Sequence, residues 1–358
     1  MVHLVPAASV LIALVGRKRS KYFFAVACFV LFLFAALRYM FGNDYISYYA
    51  HYLTIRAGGQ SPYDEWLFTA LNQISPSFYV LIALTSAVFL YGVYKLIASA
   101  VHMEYAWMGL LIFVINPYLF LMNLSALRQC MAMVFFIAAV HYAVKRKLLP
   151  YLLLTVIAFL WHKSAIILLP VWFLADTKRI RKRIVAGILL AMFAMLFFVD
   201  LNEIVLWAVQ IFDDANYIAH AAGSIGNSLR ATLLTLISFV YVLGNLPRLE
   251  GKALVYGKLY LVGLAFGVLA YHTAMLTRIQ MYFDIFSVAA IPAIIQNTRS
   301  HGPILVESGH IFRTLWDILN QYVLPVLVFA VYILRYYSFF TNDSWSAFFT
   351  YQSILSVL

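Results

Sequence analysis

Cysteine, charge and catalytic signature motifs are all scarce in this chain, and each scarcity removes a class of protein. Only two cysteines occur in 358 residues, Cys28 and Cys130, each inside an apolar stretch. That excludes a disulfide framework and a cysteine-based metal centre. Charged residues make up 11% of the sequence, against about 25% in a soluble domain. No GxSxG, HExxH, P-loop or GxGxxG motif is present, and Gly223-Ser224-Ile225-Gly226 is no nucleophile elbow, because no strand precedes it. Internal repeats, low-complexity tracts and an appended soluble domain are missing too.

What remains is apolar, with 65% of residues hydrophobic. A helical span needs roughly 20 apolar residues, so the expected fold class is an all-α integral membrane protein of about twelve transmembrane helices, a single domain over residues 1–358. The spans are expected near 2–16, 22–41, 76–96, 106–122, 124–144, 148–160, 164–175, 184–200, 230–246, 253–271, 279–296 and 318–337. The stretches 148–160 and 164–175 are too short to cross straight. They are either tilted or two arms of one element broken around Trp161-His162-Lys163-Ser164, which a bilayer tolerates where protein or a wet cavity satisfies the backbone. Val2–Gly16 carries its positive charge after the apolar run, unlike a cleavable signal, and reads as an uncleaved first span.

Basic residues set the orientation. Arg17–Lys21, Lys145–Lys147 and Lys178–Arg183 fall at alternate ends of the spans, and 18 of the 25 Lys and Arg lie in or beside the same set of loops. The positive-inside bias therefore explains most of the +11 net charge without a nucleic-acid partner. Both termini are then expected outside the cytoplasm, the C-terminal tail 338–358 included. Asp44, Glu65, Arg128, His162 and Arg278 all fall on that outer face.

The longest polar stretch between spans, 42–75, has helical spacing. Tyr45, Tyr48, Tyr49 and Tyr52 form one stripe and Asp44, Ser47 and His51 a second, with Asn43 as N-cap and Gly58-Gly59 as stop. The tyrosines suit rings at headgroup level or rings lining a substrate path, and the two readings are compatible. A second helix is expected over 64–74. There Asp64 and Glu65 either complement the helix dipole or place Glu65 over a membrane-embedded site.

Arg128 stands near the outer end of a span, where an intramembrane charge faces a partner or a wet cavity unless it snorkels. Its planar fork suits an anion such as phosphate. His162 lies at the break between two short arms beside Lys163 and Ser164, as a structural group or as a functional one. Arg278 opens another span, with Asp284 deeper as a partner for a buried cation. Asp213, Asp214, Asn216, Tyr217 and His220 lie in the outer segment 201–229. They lack ligand-like spacing and read as a capped surface helix.

In order along the chain, several runs resemble the EpsG family of Wzy-like polysaccharide polymerases. They are Gly42-Asn43-Asp44-Tyr45-(2)-Tyr48, then Glu65, Leu127-Arg128-Gln129-(2)-Ala132, His162-Lys163-Ser164-Ala165, Arg278-(3)-Tyr282-Phe283 and Tyr351-Gln352-Ser353. The Arg-Gln and His-x-Ser-Ala pair is the specific part. The segment 201–229 matches nothing in the family pattern, which leaves it as a place where repeat-unit specificity is set.

The resemblance implies a GT-C-like glycosyltransferase of the bacterial inner membrane. It would join undecaprenyl-pyrophosphate-linked oligosaccharides, as donor and acceptor, on the periplasmic face to make O-antigen, capsule or exopolysaccharide, with a Wzz-like chain-length regulator as partner. On this reading Arg128 and Arg278 clamp the departing pyrophosphate, assisted by Lys163 and Arg56. Glu65, Asp44 or His162 serves as base or as stabiliser of positive charge at the anomeric carbon. Gln129, Tyr45, Tyr48, His51, Ser164, Tyr282 and Tyr351 are expected to contact substrate. No cofactor is needed, and a divalent metal is compatible but not demanded. A polysaccharide O-acyltransferase, a flippase and a glycan ligase are the competing classes. Charges crowded at one face without repeat symmetry speak against a transporter.

Overall fold

In the computed structural model residues 1–18, 21–61, 65–178, 182–210, 226–300 and 311–356 are described. They form two compact units, the first of residues 1–176 and 332–358, the second of 177–331. Almost every regular element is a helix, as hydrophobic composition and the need to satisfy backbone groups in lipid demand.

The first unit begins with α1 (Leu4–Val15) and α2 (Lys21–Ala36), then the two-residue strand β1 (Arg38–Tyr39). The polar segment carries α3 (Tyr45–Arg56) and α4 (Trp66–Ile74). The long apolar α5 (Phe78–Ala100) follows, with α6 (Met103–Ile115), the short α7 (Leu121–Ser125), α8 (Leu127–Val144) and α9 (Leu148–Trp161). Ser77 caps α5 by accepting from the Val80 amide at 3.2 Å.

The break expected at His162 is present: α9 stops at Trp161, His162 is extended, and a 3-10 turn over Lys163–Leu168 leads into α10 (Val171–Leu174). The two arms fold back on each other. The Tyr151 hydroxyl donates to the Leu168 carbonyl at 2.6 Å and accepts from the Trp172 amide at 3.2 Å, so His162 sits at the tip of a hairpin. On α9, Tyr151, Thr155, Ala158 and Trp161 are buried while Leu149, Leu153 and Val156 are exposed. A helix apolar on both faces belongs in lipid.

The C-terminal end of this unit closes over the start of the polar segment. Strand β2 (Gln352–Ser353) pairs antiparallel with β1, Arg38 opposite Ser353. The Gly42 amide donates to the Ala347 carbonyl at 3.1 Å, and Asn43 donates to the Ser344 carbonyl at 3.0 Å. Asn43 is therefore a tie to the tail; Asp44 occupies the N-cap position of α3. Gly42 has φ +105°, and a Cβ there would meet Phe348 and Ser125 at 3.4 Å. A side chain would be strained in that conformation.

The second unit holds α11 (Lys182–Phe198), α12 (Leu201–Gln210), α13 (Leu229–Asn245), α14 (Gly251–Leu269), α15 (Leu276–Asp284), α16 (Ser287–Ser300) and α17 (Ile311–Ile318). A π-helical turn, Leu319–Val323, joins α17 to α18 (Leu324–Phe340), whose last residues belong to the first unit. Close packing of α15 on α14 depends on Gly263, where a Cβ would lie 2.9 Å from Asp284 Oδ1.

By length and apolar character five helices among the described residues can cross a membrane: Phe78–Ala100, Leu127–Val144, Leu229–Arg248, Gly251–Leu269 and Thr314–Phe340. The number rises to seven if each of two bent pairs is one span. The other apolar stretches form shorter helices, such as the 12-residue α1 and the 14-residue α9. The chain is an all-α membrane protein. The acidic and aromatic cluster 213–220 and Asp64 lie outside the described residues.

Candidate functional site

Three segments that are distant in sequence meet at Glu65. Its Oε2 accepts from an Arg128 guanidinium nitrogen at 2.7 Å, and its Oε1 lies 3.1 Å from His162 Nδ1. Glu65 and His162 are 5% and 4% exposed, and the Arg128 side chain is 17% exposed. The local reasons are plain. Glu65 occupies the N-cap position of α4 with extended backbone. Arg128 is the second residue of α8, just past a break at Ala126, and His162 ends α9. Helix ends put side chains where ladder geometry no longer dictates their direction.

Glu65 stands at the N-terminal end of α4, where a negative charge complements the helix dipole, and it does more than that. Its carboxylate makes no capping bond to α4 and is spent on Arg128 and His162. Burial alone would raise the carboxyl, but the His162 hydrogen bond and the Arg128 charge outweigh it and bring Glu65 down from 4.5 to about 2. The group is therefore ionised at neutral pH. An ionised carboxylate only accepts hydrogen bonds, so His162 Nδ1 carries the proton of that bond.

From α3 come His51 and Tyr48. His51 is 3% exposed and stacks on Phe68 with ring centroids 5.4 Å apart. Burial and the Arg128 charge lower its pKa, against an opposing pull from Glu65, which keeps the ring neutral. Tyr48 packs edge-on to Phe68 at 5.3 Å, its hydroxyl beside the Arg128 guanidinium. Gln129, next to Arg128, is buried, and Lys163 and Ser164 beside His162 are half-buried.

The remaining expected residues are placed otherwise. The stripe Tyr45, Tyr48 and Tyr52 is buried, and only Tyr49 reaches 38% exposure. The stripe is mainly a packing face against the protein: Tyr45 meets Phe78 edge-on at 5.2 Å. Asp44 is exposed at the start of α3, its amide donating to Ser125 Oγ at 2.9 Å. Arg56 is exposed and donates to the Gln73 carbonyl at 3.2 Å, tying the ends of α3 and α4. Tyr351 stacks on Phe34 at 4.3 Å and gives its hydroxyl to the Phe34 carbonyl at 2.8 Å. It latches the tail. In the second unit Arg278 is half-buried on α15, Tyr282 is fully buried, and Asp284 accepts from Gln280 Nε2 at 2.8 Å.

Sequence reasoning passed over Arg38. It is 1% exposed and donates to the Ala35 carbonyl, to Ser86 Oγ at 2.9 Å and to the Leu124 carbonyl at 3.0 Å. The available signal was a lone arginine directly after an apolar helix, outside the basic loops.

Fold and site together define an all-α membrane protein with a charged cluster enclosed by protein at its helix ends. The chain belongs to the EpsG family, whose sequence model matches residues 21–353. Membership supports exopolysaccharide polymerase activity of the Wzy-like kind in general. No curated protein and no solved structure matches the chain significantly.

Proposed function

We propose that the protein polymerises oligosaccharide repeat units carried on undecaprenyl pyrophosphate, at the periplasmic face of the bacterial inner membrane. The observation that carries this reading is the buried Glu65 shared between Arg128 and His162, because the reaction needs a cation and a base held together. Polymerisation forms a bond from an acceptor hydroxyl oxygen to the donor's anomeric carbon and breaks that carbon's bond to pyrophosphate. Arg128 stabilises the charge developing on the departing pyrophosphate. His162 Nε2 takes the acceptor proton. Glu65 orients His162 through Nδ1 and offsets the imidazolium that forms, the division of labour of a carboxylate–histidine pair. Asp44 and Glu65, the other base candidates, rank lower: Asp44 is solvated and Glu65 is held ionised by two partners.

Depth supports a lipid-linked substrate. At about 1.5 Å per residue, His162 stands roughly 22 Å along α9 from Lys147, and Arg128 roughly 25 Å along α8 from Lys145. With those lysines at the cytoplasmic interface, both groups lie slightly inside the outer edge of a hydrocarbon layer about 30 Å thick. That is the level just below the pyrophosphate of a lipid carrier. Twelve spans, with short helices tilted or paired, and outward-facing termini belong to the same reading.

The test is deletion of the gene followed by gel analysis of surface polysaccharide. Loss of long chains with one-unit material remaining is the expected result. Loss of all attached material would mean a ligase or flippase, and normal ladders lacking acyl groups an acyltransferase; either would end the polymerase reading. A periplasm-active reporter fused after residue 358 should be active, and one inserted within 178–183 silent.

A further inference from the structure

We infer that Arg38 is a positioning residue for the reaction: it holds the break between α7 and α8 so that Arg128 emerges toward Glu65. This rests on the reading in which Arg128 carries the leaving pyrophosphate. Arg38 is a fully buried cation that pairs with no carboxylate among the described residues. A buried charge is costly to keep without a counter-ion, and an apolar residue would fill this place at less cost. Its partners show what it is kept for.

Two of them are carbonyls from the last turns of helices, Ala35 in α2 and Leu124 in α7. A cation is stabilised where helix carbonyls end. The third, Ser86, lies inside α5. Three elements are thus gathered on one planar fork, which a lysine's single ammonium cannot reproduce.

Leu124 is four residues before Arg128. Between them Ala126 is in a non-helical conformation, φ −82° and ψ +60°, from which α8 starts afresh. The neighbouring Ser125 is fastened as well, its hydroxyl accepting the Asp44 amide at 2.9 Å. Residues 38 and 44 therefore grip residues 124 and 125 from the two sides of the Gly42 turn. The start of α3, which delivers Tyr48 and His51, is thereby fixed to the start of α8, which delivers Arg128. The β1–β2 pairing and the Tyr351–Phe34 latch hold Arg38 from the tail side.

The experiment uses the full-length protein in lipid nanodiscs with a lipid-pyrophosphate-linked oligosaccharide as substrate, and compares wild type with Arg38→Lys, Arg38→Gln and Arg128→Lys. Amide exchange is followed over residues 121–130. A misplacement of about 1 Å costs roughly 100-fold. Arg38→Lys and Arg38→Gln should accordingly lower kcat per folded molecule by about that factor with KM within about threefold, the pattern of a lost transition-state contact. Exchange over 121–130 should rise while the rest of α5 and α8 stays protected. A merely structural Arg38 would reduce the amount of protein without changing kcat of the surviving fraction. Should both variants fail to insert, Ser86→Ala removes one anchor without burying a new charge and should still lower kcat several-fold. Folded Arg38→Lys or Ser86→Ala with wild-type kcat and unchanged exchange overturns the inference. If Arg128→Lys alone is inactive beside such active variants, the clamp reading survives. If Arg128→Lys is fully active, both fall.

Discussion

Two polar clusters in this protein are each built around an arginine–carboxylate pair, one in each unit, and they differ in how their members are held. In the first unit Glu65 gathers Arg128, 63 residues away, and His162, 97 residues away. In the second, Arg248 pairs with Asp317 and donates to Asn245 Oδ1 at 2.9 Å, while Asn245 donates to Asn320 Oδ1 at 2.8 Å. There both amides also bond the carbonyl four residues back in their own helices, Tyr241 and Trp316. That pair is 31% and 27% exposed, against 5% for Glu65. The second cluster is a clasp whose members would stay solvated or bonded locally without one another. Glu65 has no such alternative: its charge is tolerated only because two cationic or proton-donating partners arrive from other helices. This dependence distinguishes a site from a brace.

The largest expected effect is at Glu65. Glu65→Gln keeps the shape but removes the charge that orients His162 and faces Arg128. Polymer formation per inserted molecule should fall by about 10²–10⁴-fold, because the base His162 loses the carboxylate that orients it. Chains of normal length from a normally expressed Glu65→Gln protein would break the comparison, reducing Glu65 to a brace.

Arg128→Lys comes next. Lysine keeps the charge but offers a point donor in place of a fork, and should cost about 10²-fold in rate while the protein still inserts. Full activity in this variant would mean that Arg128 is only an electrostatic or snorkelling group and would end the clamp reading.

Acid sharpens the contrast through stability. Glu65 titrates at about 2 in the folded chain against 4.5 ordinarily. Its contribution is thus fully present above about pH 4.5 and is lost as pH falls toward 2. The total is about 3 kcal/mol at roughly 1.4 kcal/mol per unit. Unfolding midpoints in detergent should drop across that window in wild type, and less steeply in Glu65→Gln. Parallel curves would show that Glu65 is not held down by its partners.

The smallest effect is expected in the second cluster. Asp317→Asn removes a partly exposed pair worth about 0–1 kcal/mol, and polymer formation should stay within about twofold. A loss comparable to that of Glu65→Gln would show that the clasp, too, serves the reaction.

Much of this was written in the sequence at short range. Apolar runs long enough to be helices, basic loops alternating between them, and a break at Trp161-His162-Lys163 follow from composition and spacing, because burial in lipid is decided residue by residue. The helical spacing of Tyr45, Tyr48 and Tyr52 marked a face, though not what the face would touch. The structure turned it inward against Phe68 and Phe78. Glu65 could have been a helix-dipole residue for all its neighbours in sequence disclose; only the arrival of α8 and α9 made it a shared carboxylate. Likewise nothing near Tyr351 in sequence foretold that the tail would close on Phe34. Arg38 looked like nothing at all until α5 and α7 supplied its acceptors. Periodicity and hydropathy are local quantities, so the sequence determined which segments are helices and which residue types could do chemistry. Which of those residues meet depends on contacts across 60 to 100 residues of chain, and only the tertiary structure decided that.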